Sequence, residues 1–116
     1  MLRLLLGSQP SKLTSEQIKA PFLRRVEYAL QRENFHGAIA FLNSAIDLLP
    51  DDLELIFQRA QISHYGLCDF SRALKDYRYI LQVLSNDQNQ PLTRRCRGAI
   101  SEMMDYAPPK RTQLRV

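Results

Sequence analysis

Apolar side chains return at a fixed interval along this chain. Phe35, Ala38, Ile39, Leu42, Ala45, Ile46, Leu48 and Leu49 have counterparts 35 places later in Phe70, Ala73, Leu74, Tyr77, Ile80, Leu81, Val83 and Leu84. Within each set the spacing keeps the apolar groups on one face of an α-helix, and the two-residue alternation of a half-buried strand is absent. The segments ahead match as well, at an interval of 34: Phe22, Val26 and Ala29 answer to Ile56, Ala60 and Ser63. Each unit therefore reads as helix, turn, helix, and the second carries one extra residue before Asp69. After the polar stretch from Ser85 to Gln90, Leu92, Cys96, Ala99, Ile100 and Met103 form one further apolar stripe.

Boundary residues agree with five helices. Pro21 suits a first helical turn, where a missing N–H costs nothing, and Pro50 ends the second helix before Asp51 and Asp52 cap the third. Asp69 can cap the fourth helix and Pro91 can open the fifth. Glu33 and Asn34 make the first reversal; the second contains Gly66, a residue tolerant of positive φ. Pro108 and Pro109 stop the last helix. The expected organisation is an arm over 1–18, a first helical hairpin over 19–50, a second over 51–87, a capping helix over 91–106 and a basic tail over 107–116.

These residues resemble the tetratricopeptide repeat family, whose hairpins place small residues where helices cross, an aromatic early in the second helix and a proline after it. Phe35, Ala38, Ala45 and Pro50 carry the likeness in the first unit, and Ala60, Phe70, Ala73 and Tyr77 in the second. The resemblance covers about residues 19 to 87 well, and 91 to 106 as a lone first helix. It implies an all-α fold, a right-handed superhelix of stacked helical hairpins with about two and a half repeats. The chain departs from the family at Val26 and Glu33, at Ile80 in place of an alanine, and in the lack of a proline closing the second unit.

A module of this kind binds another protein or a peptide segment along the first helices of its repeats. The groove-facing candidates are Leu23, Glu27 and Gln31 from the first helix, Phe57, Gln61 and His64 from the third, and Arg97 from the fifth. The family's best-known ligand mode grips a C-terminal carboxylate with lysine, asparagine and arginine. Here Leu23 and Glu27 stand at the first-helix lysine and asparagine positions, Gln58 replaces the later asparagine, and only Arg94 fits. Glu27 would repel a carboxylate, so that mode is not expected.

Composition narrows the alternatives. The 116 residues, 45% hydrophobic and 24% charged, suit one globular domain rather than a disordered or membrane chain. The net charge of +4 arises wholly after Gln88, from Arg94, Arg95, Arg97, Lys110, Arg111 and Arg115 against Glu102 and Asp105. A neutral body with a small basic end differs from the broad basic face that DNA demands, which argues against nucleic acid. A basic patch of Arg94, Arg95, Arg97, Lys110 and Arg111 leaves an RNA or an acidic partner as the alternative.

Glycines stand singly, and no phosphate loop, His-Glu-x-x-His or Gly-x-Ser-x-Gly occurs. No catalytic residue, cofactor, metal or small-molecule substrate is therefore expected, although His64 and Cys68 lie at the spacing of half a zinc site. The first residues, Met-Leu-Arg-Leu-Leu-Leu, fall short of the roughly 7–15 apolar residues of a secretory core and of the ~20 that span a bilayer. Two cysteines, Cys68 and Cys96, that make no disulfide framework point to a reducing compartment, expected to be the cytoplasm; a mitochondrial assembly factor is the alternative, since no acid precedes Glu16. Two and a half repeats leave an end of the stack to be capped, so self-association is a further possibility.

Overall fold

In the computed structural model, which describes residues 12–106, five helices and no strand make up the regular structure. They are α1 (Ser15–Gln31), α2 (Phe35–Leu48), α3 (Leu53–Gln61), α4 (Phe70–Val83) and α5 (Pro91–Asp105); α3 runs on into a π-helical turn, Ile62–Gly66. No helix among the described residues is long and apolar enough to cross a membrane. The rest of the expected arm, residues 1–11, and the expected tail, residues 107–116, lie outside the described residues.

The chain divides into two compact units, Met1–Leu55 and Ile56–Val116, the division falling in the first turn of α3. In the first unit, α1 packs against α2. Helix α1 starts at Ser15 instead of at 19, and Pro21 lies inside it rather than in its first turn. A reciprocal cap explains the earlier start: the Gln17 amide donates to the Thr14 hydroxyl at 3.1 Å, and the Thr14 amide donates to the Gln17 side-chain oxygen at 2.8 Å. That cap fixes a turn ahead of Pro21, which has no N–H to give the Gln17 carbonyl. Val26 and Ala29 of α1 and Ala38, Leu42 and Ala45 of α2 are buried; the alanines among them let helices approach closely.

Asp52 joins two tasks in this unit. One carboxylate oxygen accepts from the amides of Glu54 and Leu55, capping α3 as expected, and the other takes the Lys19 ammonium at 2.6 Å. Lys19 also meets Glu16 at 3.2 Å.

In the second unit, α4 packs against α5 and against the π-helical turn. The side chains of Ala73, Tyr77 and Ile80 are fully buried, as are Ala38, Leu42 and Ala45 at the matching places of α2. The helix starts match too: Asn34 and Asp69 each accept from the amide three residues on, those of Gly37 and Arg72. Arg59 of α3 places its Nε and one terminal nitrogen on the two oxygens of Asp76, each at 2.9 Å. This two-point ion pair ties α3 to α4 inside the unit.

Two reversals at different places of the hairpins share one geometry. After α1, Glu33 takes φ 57°, and the amides of Glu33 and Asn34 donate to the carbonyls of Leu30 and Ala29. After α4, Ser85 takes φ 54°, and Ser85 and Asn86 donate to Gln82 and Leu81 in the same pattern. Both are Schellman closures made without glycine. Gly66 was expected to supply positive φ in the second unit; it lies in the π turn instead, and Cys68 adopts the left-handed conformation at φ 53°. Cys68 stands 35 places after Glu33, so the left-handed residue belongs to the repeat and not to a glycine.

Candidate functional site

The extra residue of the second unit has a definite location. Ala29 and Ser63 are equivalent at the interval of 34, Asn34 and Asp69 at 35. The Asn34 amide reaches back five residues to Ala29 and the Asp69 amide six residues to Ser63, each bond 2.8 Å long. The same closing bond thus encloses one more residue, and the helix accommodates it by widening into a π turn, with Leu67 donating to Ile62. The consequence is chemical: the wider turn sets His64 and Tyr65 side by side, rings stacked at 4.0 Å and 13°.

These two rings begin a series. The His64 ring meets Phe70 edge-on at 5.4 Å, and Phe70 meets Tyr106 edge-on at 5.3 Å. Together with Cys68 they line a cavity of about 370 Å³. Its remaining wall comes from the end of α5, where Glu102 and Asp105 contribute carboxylates. The Tyr65 hydroxyl donates to Glu102, a bond that raises the Tyr65 pKa above its usual 10.0. Burial lowers the His64 pKa from 6.5, only partly offset by the Glu102 charge. The imidazole is therefore neutral at pH 7, and among the described residues neither lysine nor arginine lines the cavity.

The sequence-derived groove residues fare differently. Leu23, Glu27 and Gln31 share one face of α1, Leu23 half-buried and the other two exposed. Phe57 and His64 are not open to a partner as expected; both are buried, at 5% and 4% exposure. Tyr77 is the reason. Phe57 packs on its ring at 5.7 Å, and its hydroxyl takes the Gln61 amide at 2.8 Å and faces His64 Nδ1 at 3.1 Å. Burial pushes the Tyr77 phenol up to about 12, so it remains a hydroxyl. Arg95 covers Phe57, its guanidinium 4.3 Å from the ring centre.

The basic patch is divided among local partners. Arg94 donates to the Gln88 carbonyl at 2.6 Å and Arg97 to the Asn86 side chain at 3.1 Å, whereas Arg95 lies on Phe57. Lys110 and Arg111 lie outside the described residues. Cys68 is exposed and Cys96 buried. No three His, Cys, Asp or Glu side chains among the described residues are placed to hold a metal ion.

Sequence reasoning passed over Tyr65, Glu102, Asp105 and Tyr106 as a site. The signal was present in the change of interval from 34 to 35, between Ser63 and Cys68, beside a cluster of aromatic residues. Comparison of the chain with family models, with curated proteins and with solved structures returns no match.

Proposed function

We propose that this chain is a tetratricopeptide-type interaction module, non-enzymatic, which binds a segment of another protein along the open face of its first helices. The observation that carries the reading is the repetition of one hairpin design. Helices α2 and α4 have the same 14-residue length, the same Asx-type cap three residues ahead of the bonded amide and the same left-handed residue before that cap. Shared helix lengths are common among helical proteins; a shared cap, reversal and buried triad at one interval favours a repeat over an ordinary bundle. Glu27 and Gln31 are the exposed polar groups such a partner would meet on α1. Two cysteines outside any disulfide suit a reducing compartment.

Affinity purification of the full chain tests this, comparing wild type with Glu27→Ala plus Gln31→Ala and with a control change on α2, Ser44→Ala. Partners retained by the control and lost from the α1 variant support binding along α1. Partners held equally by all three contradict it.

A further inference from the structure

The cavity beside the π-helical turn combines three properties that together select a ligand. Its walls are aromatic: His64, Tyr65, Phe70 and Tyr106 follow one another at centroid separations of 4.0, 5.4 and 5.3 Å. Its charge among the described residues is negative, from Glu102 and Asp105, with no lysine or arginine among those that line it. Its size, about 370 Å³, lies near the lower end of ligand-binding cavities, roughly 300–1,000 Å³. An aromatic face attracts a cation through the ring quadrupole, most effectively where the cation has little water to lose.

We propose that this cavity binds a methylated alkylammonium group. Glu102 already accepts from the Tyr65 hydroxyl, which leaves Asp105 as the one carboxylate on the lining with the paired oxygens that a guanidinium fork takes. A bare lysine ammonium is strongly hydrated and needs three acceptors in place of its water. A methylated ammonium is apolar on its outside and charged overall, and it asks only for ring faces and nearby negative charge. Tyr65 and Tyr106, each 56% exposed, stand open to such a group, while the buried His64 backs the wall. The hydrogen bond to Glu102 also holds Tyr65 in place. The two sources of this chemistry are a small quaternary amine and a methylated lysine on another protein. The inference stands independently of the hairpin-repeat reading.

Titration of the full chain with tetramethylammonium, with choline, and with a short peptide carrying trimethyllysine tests it, read by the ring resonances of Tyr65, Phe70 and Tyr106. The neutral isostere of choline, 3,3-dimethylbutanol, and the unmethylated peptide are the comparators. The expected result is saturable movement of those rings by the methylated cations, with the isostere at least ~10-fold weaker. Tyr106→Ala and Glu102→Gln each weaken binding about 5-fold or more, with helical content unchanged. Neutral N-ethylmaleimide should also label Cys68 more slowly when the cation is bound. A peptide at least ~10-fold tighter than tetramethylammonium assigns the source to a methylated protein; comparable affinities assign it to a small amine. Equal binding of the isostere overturns the proposal. So does the absence of saturable ring shifts in the wild-type chain, a result that does not depend on any variant folding.

Discussion

The amide of Asp69 donates to the carbonyl of Ser63, six residues back, where its counterpart Asn34 closes on Ala29 after five. One inserted residue is held between two fixed ends, the buried helix face at Ser63 and the capped start of α4. Deleting Gly66 should let the segment return to ordinary α-helical spacing. Far-UV helicity is expected to remain while the stacking of His64 on Tyr65 is lost, read as a changed Tyr65 ring shift. Loss of folding on deletion would mean that the π turn is required by the core.

Asp76 is the internal tie of the second unit. It is buried, and both its oxygens receive Arg59. Asp76→Ala removes both bonds to a charged group and should lower stability by about 2–3 kcal/mol, measured by urea unfolding. A change below about 0.5 kcal/mol would place the pair among weak surface contacts.

Gly37 and Asn34 should behave non-additively. A Cβ on Gly37 would run into the Asn34 side-chain nitrogen and lie 2.7 Å from its Cγ, so the side chain that caps α2 must shift. Alanine favours helix over glycine by up to about 1 kcal/mol, and an Asn cap contributes about the same. Gly37→Ala should therefore give no net gain in the wild type, but a gain of roughly 0.5–1 kcal/mol in an Asn34→Ala background. Equal effects in the two backgrounds would separate the residues.

Much of the fold was legible because apolar periodicity is a direct consequence of helix geometry. The capping roles of Asp52 and Asp69 and the opening of α5 at Pro91 follow from local hydrogen-bonding demands. The start of α1 was misjudged because Pro21 is the stronger local signal, and the Thr14–Gln17 cap that overrides it depends on two side chains acting together. Gly66 misled for a similar reason. Glycine tolerates positive φ but does not require it, and the repeat put that conformation on Cys68. The groove residues Phe57 and His64 were misjudged because helical spacing gives a face and not its neighbour; Tyr77 and Arg95 cover what the spacing alone leaves open.

Stability should fall at both ends of the pH scale. Burial first, against a smaller pull from Glu102, holds His64 below 6.5, so the unfolded chain binds its proton at higher pH than the folded one. Stability is then present above about pH 6.5 and declines as pH falls below it. Tyr77, raised from 10.0 to about 12 chiefly by burial, acts in the opposite direction, its contribution declining between those values as pH rises. Lys19, raised above 10.5 chiefly by its bond to Asp52, adds to the alkaline loss. Urea midpoints should be level between about pH 7 and 9, and His64→Gln should flatten the limb below about pH 6.5. An unchanged acid limb in that variant would remove His64 as its source.

Carboxylate-terminated peptides should gain nothing from their free end. Glu27 is exposed on α1 and carries the same charge. A peptide with a free terminus and its amide should bind within about 2-fold of one another, measured by calorimetry. A strong preference for the free acid would restore the grip that Glu27 argues against.

The repeat itself is tested most directly by scalar couplings across hydrogen bonds in the isotope-labelled full chain. Two copies of one hairpin require a coupling from the Asn34 amide to the Ala29 carbonyl and one from the Asp69 amide to the Ser63 carbonyl, with Leu67 coupled to Ile62. If Asp69 shows no coupling to Ser63, or Asn34 none to Ala29, the equivalent residues do not close on equivalent carbonyls and the two hairpins are not copies of one design.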